Sequence, residues 1–162
     1  NEFILCPYLL KEFGNRWFVF GSRAKDLVLY NLPLDRIISI EPVDVPFRDN
    51  PDFDPEHFFD DVIGVSKNIS NTPRRIRFWA NEEQSKYIKT KPIHSSQKII
   101  RENPEDGSHI FEINVVINFE MYSVFMSYGP GIKIIHPRNV VSHMRDKLRA
   151  AADLYNEENS ID

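Results

Sequence analysis

A single cysteine, Cys6, occurs in 162 residues, so no internal disulfide can form and a reducing compartment is the simpler expectation. No apolar run approaches the roughly 18 residues of a membrane span. The N-terminus also lacks the charged-then-apolar pattern of a signal peptide. The sequence therefore predicts a soluble, cytoplasmic protein with no membrane partner. Metal-ligand spacing is missing as well: His57, His94, His109, His136 and His143 include no H-x-x-x-H pair, which argues against zinc. No G-x-S-x-G, P-loop or G-x-G-x-x-G motif occurs. Gly129-Pro130-Gly131 reads as a turn, because proline removes a donor that a phosphate cradle would use. These absences predict no catalytic residue, no metal and no cofactor. Net positive charge is missing too. Lys and Arg total 20 against 24 Asp and Glu, a formal charge of −4, which excludes a strongly basic duplex-coating protein.

What is present is unevenly placed. Residues 1–70 carry seven basic and twelve acidic side chains, whereas residues 71–162 carry thirteen and twelve. Most of the early acid lies between Asp44 and Asp61, where Asp49, Asp52, Asp54, Glu56 and Asp60 join them around Arg48. This cluster lacks the D-x-D-x-D-G-x5-E spacing of a calcium loop, so it reads as a solvated acidic loop. Outside it the first segment is slightly basic.

Hydrophobicity (41% of residues, with 27% charged) suits one ordinary domain or two small ones. From Phe3 to Val43, short apolar runs rich in β-branched and aromatic residues are broken by Gly, Asn and Pro. Strands are predicted over residues 3–10, 16–20, 27–30 and 37–40, with turns at Gly14-Asn15, Gly21-Ser22 and Leu34-Asp35-Arg36. Four or five short strands in this span predict a small barrel or curled sheet. Asp54-Pro55-Glu56 has the form of a helix start, and a short helix is expected over Pro55–Asp61.

Lys67 to Pro73 is polar and turn-rich and marks the expected boundary. Beyond it the sequence predicts a strand at residues 75–79 and a helix capped by Asn81 with Gln84. Strands follow at 97–101 and 110–117, then a helix capped by Asn118 that ends at Gly129. A last strand (131–135) precedes a long helix, Pro137–Tyr155. The order βαββαβ is that of a ferredoxin-like unit. The apolar stripe Val140, Val141, Met144, Leu148, Ala151 and Leu154 is explained by packing on that sheet.

Chemistry is sparse. Cys6, beside Pro7 in a strand, reads as an inert small hydrophobe. His94-Ser95-Ser96 is a poor hydrolase nucleus, since neighbouring strand residues cannot point together. The informative set is Tyr8, Arg16, Trp17, Arg23, Lys25 and Arg36. Small β barrels bind single-stranded nucleic acid by stacking bases on aromatics while Arg or Lys meets phosphate. The alternative is a buried Trp17 and arginines paired with Asp26 and Asp35.

Several ordered motifs resemble one family. Pro7-Tyr8, Arg16-Trp17-Phe18-Val19 with Gly21, and Leu34-Asp35-Arg36-Ile37 resemble the WYL domain of bacterial transcription regulators. Phe53-Asp54, Phe58-Phe59 and Ile63-Gly64-Val65 are similar to its linker. Pro92-Ile93-His94-Ser95-Ser96-Gln97, Tyr128-Gly129 and Ile135-His136-Pro137 are similar to the C-terminal extension, WCX.

The resemblance implies an α+β chain. An SH3-like or Sm-like WYL barrel would span residues 1–66, a linker 67–72 and a ferredoxin-like extension 73–162. It implies a sensor for an anionic effector, single-stranded nucleic acid or a nucleotide, and a homodimer aided by the extension. Operator DNA would be bound through an N-terminal domain outside this chain, which starts on the first barrel strand. By position the ligand-binding residues would be Tyr8, Arg16, Trp17, Phe18 and Arg36, with Arg23 added. Phe18 stands where the family has tyrosine, so a hydroxyl is lost while stacking survives. The rival expectation is a constitutive protein-protein dimerisation module without a ligand.

Overall fold

The structure, a computed structural model, describes residues 2–156. The chain divides between Thr72 and Pro73 into two compact units, each mixed or mostly β and built on its own antiparallel sheet.

In the first unit β1 (Leu5–Phe13), β2 (Arg16–Arg23) and β3 (Leu29–Pro33) form a three-stranded meander in that order. Gly14 and Asn15 both adopt φ near +60°, the two-residue hairpin geometry whose twist matches the strands it joins. After β3 a single 3-10 turn, Leu34–Arg36, ends the regular structure. The strand expected over residues 37–40 is absent: the run is not in the sheet, and Ile38 is 101% exposed. Its β-branched residues have the propensity but no neighbouring ladder, and propensity without a partner makes no strand. The first sheet thus holds three strands among the described residues, fewer than the four or five expected.

The helix expected over Pro55–Asp61 is also absent, replaced by successive turns. Phe58 N–H donates to Asp54 O at 2.8 Å, but the next bonds, Asp60 to His57 O and Val62 to Phe59 O, are of the tighter i to i−3 kind. Seven residues are too few to repay helix nucleation unless packing rewards it, and here the packing rewards the turns. They bring Phe53, Phe58 and Val65 against Phe20 of β2 as one buried cluster. The acidic loop is therefore the first unit's second layer. Arg48 donates to Ala24 O (2.7 Å), and the buried Asn50 amide donates to Ser22 Oγ and Leu27 O, both at 2.9 Å. Lys67 closes the layer, donating to Phe58 O and to Asp61, each at 2.7 Å, and lying over the Phe58 ring.

The loop also holds an exposed histidine–carboxylate pair. Asp54 accepts at 2.8 Å from His57 Nδ1, which raises the imidazole above its ordinary 6.5 and lowers the carboxyl below its ordinary 3.8. The raised histidine contributes fully below 6.5 and loses its contribution as pH rises through its folded value. The lowered carboxyl contributes fully above 3.8 and loses its contribution as pH falls through its own. NMR titration of the His57 ring should give a midpoint above 6.5 that falls toward the ordinary value in Asp54→Asn, with Asp60 and Glu56 still favouring the charged ring; an unchanged midpoint would contradict the pairing.

The second unit runs β4 (Arg74–Ala80), α1 (Glu82–Thr90), β5 (Lys98–Glu102), β6 (His109–Val115), α2 (Phe119–Ser127), β7 (Ile132–His136) and α3 (Arg138–Asn156). Both expected caps form: Asn81 accepts from Gln84 N–H and Asn118 from Met121 N–H. The sheet order is β5-β6-β4-β7, all antiparallel. Alternation sends Ile76, Phe78, Phe111 and Ile113 into the core, where Phe78 meets Phe111 and, from α2, Phe125. The α3 stripe packs only over its first half. Val140 and Met144 are buried, but Leu148 and Leu154 are exposed, so core packing does not explain the whole stripe. A groove of about 430 Å³ between α2, β7 and α3 has Leu148 on its wall.

Candidate functional site

β2 and the turn after β3 hold most of the sequence-predicted site residues. The Arg16 guanidinium sits 3.0 Å from the Asp35 carboxylate, which ties the 3-10 turn to the start of β2. Arg36, the next residue, is exposed and makes no ion pair or side-chain hydrogen bond among the described residues. Trp17 is 52% exposed. It pairs with Glu12 across the β1–β2 ladder, beside the Phe13–Arg16 pair. Arg16, Trp17 and Arg36 therefore gather at one end of the sheet, with two cations, one carboxylate and an open indole.

The other three residues lie elsewhere. Phe18 is half-buried against the Phe20 cluster, because strand alternation puts it on the face opposite Trp17. Tyr8 packs edge-on to Phe47 and against Phe53, and its hydroxyl donates to Arg48 O at 2.7 Å. That hydroxyl is committed to holding the loop. Arg23 ends β2 seven residues beyond Arg16, about 23 Å along an extended strand. It pairs with Asp26 and lies over the Tyr30 ring. This pairing lowers the Asp26 carboxyl below its ordinary range, chiefly through the Arg23 hydrogen bond. The pairings of arginine with Asp26 and Asp35 weighed from the sequence both form, whereas a buried Trp17 does not.

His94 and Ser96 do meet, contrary to the strand argument made from the sequence. The segment is a turn, which lets Ser96 Oγ lie 2.8 Å from His94 Nδ1. Ser96 N–H also donates to Nδ1 at 3.2 Å, and the same Oγ accepts from Asn114 N–H at 2.9 Å. The pair thereby pins the turn to β6. Sequence reasoning also missed Asn50 and Lys67, whose partners inside the first unit lie beyond any local pattern. No cluster of three His, Cys, Asp or Glu side chains suited to a metal occurs among the described residues. No helix there is long and apolar enough to cross a membrane.

Residues 72–152 match the family model of the WCX domain. The chain belongs to the WCX domain family. No curated protein matches it. Among solved structures it is similar to proteasome accessory factor B/C (PafBC) of Arthrobacter aurescens, with 16% identity and a TM-score of 0.44. That similarity covers 96% of this chain and 24% of the other, so the chain spans about a quarter of its relative.

Proposed function

We propose that the chain is the effector-sensing and dimerisation region of a WYL-type transcription regulator. Residues 1–66 are the WYL part, 67–72 the linker and 73–162 the extension. The WCX family match supports this class. The order β5-β6-β4-β7 supports a ferredoxin-like extension, and the β1–β3 meander supports assignment of the first unit to a small SH3-like or Sm-like barrel. The effector is anionic, a single-stranded nucleic acid or a nucleotide, and the region is not an enzyme. The observation that carries the reading is Arg36, an exposed cation with no ion pair among the described residues, one position beyond the Asp35 that bridges to Arg16, at the end of the sheet that holds the open Trp17 ring. Arg36 meets phosphate, Trp17 stacks a base, and Arg16 exchanges Asp35 for ligand. Tyr8, Phe18 and Arg23 shape the unit around these contacts. An effector that binds one arrangement of a homodimer better than another shifts operator binding by an N-terminal domain.

In the regulator that contains this chain, Arg36→Ala should abolish most of the effector's influence on operator affinity. The effector's own affinity should fall about tenfold or more, as expected for one charge-assisted contact. An unchanged response would remove Arg36 from the mechanism. The second reading, a constitutive dimerisation module, is favoured by one observation: Arg16 is already engaged by Asp35. It predicts that the chain binds no effector saturably and that Arg16→Ala only weakens the first unit.

A further inference from the structure

The run that follows the 3-10 turn is open on every side. Residues 37–50 pass without helix, turn, bend or ladder. From Ile38 to Phe47 no backbone N–H or C=O has a hydrogen-bond partner among the described residues. Ile38 is 101% exposed and Ile40 79%, and Val43, Val45 and Phe47 are exposed as well. Unpaired backbone carrying exposed β-branched side chains is a template for a further strand. The prolines limit how it can be used. Pro42 and Pro46 lie four apart, so in an extended chain both missing N–H groups fall on one edge, that of the even-numbered residues. The other edge, with the N–H groups of Ser39, Glu41 and Val43, stays open to one partner.

We propose that this edge pairs with the same edge of a second copy of the chain, as an antiparallel, two-fold strand pair centred on Ile40. The inference rests on the dimerisation part of the function proposed above and gives that dimer a surface. A two-fold pair sets each residue against the one equally far beyond its centre. Centring on Ile40 places Arg36 opposite the partner's Asp44, Ile37 opposite the partner's Val43 and Ile38 opposite the partner's Pro42, with Ile40 facing its own copy. Other centres do worse. On Glu41 or Asp44 a carboxylate would face itself, and on Pro42 Arg36 would face the partner's Arg48; like charges directly opposite are destabilising. Centres on Ser39 or Val43 gain no ion pair. With Ile40 at a non-hydrogen-bonded position, Ser39, Glu41 and Val43 all donate across the pair and the prolines lose nothing. Because the prolines close the far edge, the assembly stops at two. Arg36, which has no ion pair within its own chain among the described residues, gains the partner's Asp44, and an effector phosphate at Arg36 replaces that carboxylate.

Engineered thiols test the register, since Cys6 is buried. Ile40→Cys brings two thiols together on Cα atoms about 4.5 Å apart, within disulfide reach. Ile38→Cys leaves them four residues apart, about 13 Å along the strands. Under mild oxidation the first variant should cross-link at least about tenfold faster than the second. In sedimentation equilibrium the chain should dimerise reversibly. Ile40→Lys, at an exposed position, removes an apolar pair and opposes two cations, and should weaken the dimer at least about tenfold. Equal cross-linking at the two positions, or none in Ile40→Cys, would overturn this surface. A dimer indifferent to Ile40→Lys would also overturn it and leave the dimerisation reading standing on another face; a chain monomeric at every concentration would overturn both.

Discussion

Phe78→Ala should cost the second unit about 3–5 kcal/mol, the range for truncating a fully enclosed aromatic. Phe78 is 0% exposed, lies 5.4 Å from the Phe111 ring in a stacked pair, and meets Phe125 edge-on at 5.0 Å. Removing it empties the junction of the two central strands with α2, and neighbours on three elements cannot all collapse into the space. Urea denaturation followed by circular dichroism checks the value. A loss under about 1 kcal/mol would contradict the packing described. Phe119→Ala provides the contrast: that ring is 71% exposed, and its removal should change stability by no more than about 0.5 kcal/mol.

Gly21→Ala should destabilise the first unit by about 3 kcal/mol, the upper part of the range for overpacking. A methyl group there would lie 2.4 Å from Cys6 O and 3.0 Å from Pro7 Cα. Both are backbone atoms and cannot swing aside as a side chain would. Gly21 pairs with Pro7 beside the irregularity between Pro7 and Leu9, where proline already deprives the ladder of a donor. The strands approach closely at that point, and only hydrogen fits. Denaturant unfolding followed through Trp17 emission in a Trp79→Phe background reads the first unit. Gly14→Ala should be milder, because Gly14 has a positive φ but open space around its Cα; its cost is the left-handed backbone, about 1 kcal/mol. Equal losses at the two glycines would contradict the close approach.

The elements of the second unit were legible because their signals are local. Asn81 and Asn118 each accept from the amide three residues on, and the alternating residues of β4 and β6 alternate in burial. Both misreadings in the first unit come from local patterns whose tertiary conditions are unmet. Residues 37–40 have the β-branched propensity but no ladder, and Asp54-Pro55-Glu56 has the start signal but too short a run. The layer built by Arg48, Asn50 and Lys67 was illegible for the opposite reason. Asn50 reaches Ser22 and Leu27, 28 and 23 residues away, and no window in the sequence contains both partners.

The candidate site was partly legible in the same sense. Arg23 with Asp26, three residues on, can be read from spacing, as can the adjacency of Asp35 and Arg36. That Tyr8 spends its hydroxyl on Arg48, and that Phe18 turns inward while Trp17 turns out, follow from the loop's docking and the register of β2. The six residues grouped by sequence therefore resolve into three that share one end of the sheet and three that build the unit.

The most direct test of an anionic-effector sensor is a titration of the Trp79→Phe chain with a short single-stranded DNA, read by Trp17 emission at two salt concentrations and repeated with Arg36→Ala. Saturable quenching that weakens as salt rises, and that loses about tenfold or more in affinity without Arg36, is the predicted result. Binding that is indifferent to Arg36 would contradict the site, and no Trp17 response at any concentration would contradict the sensor and favour the constitutive module.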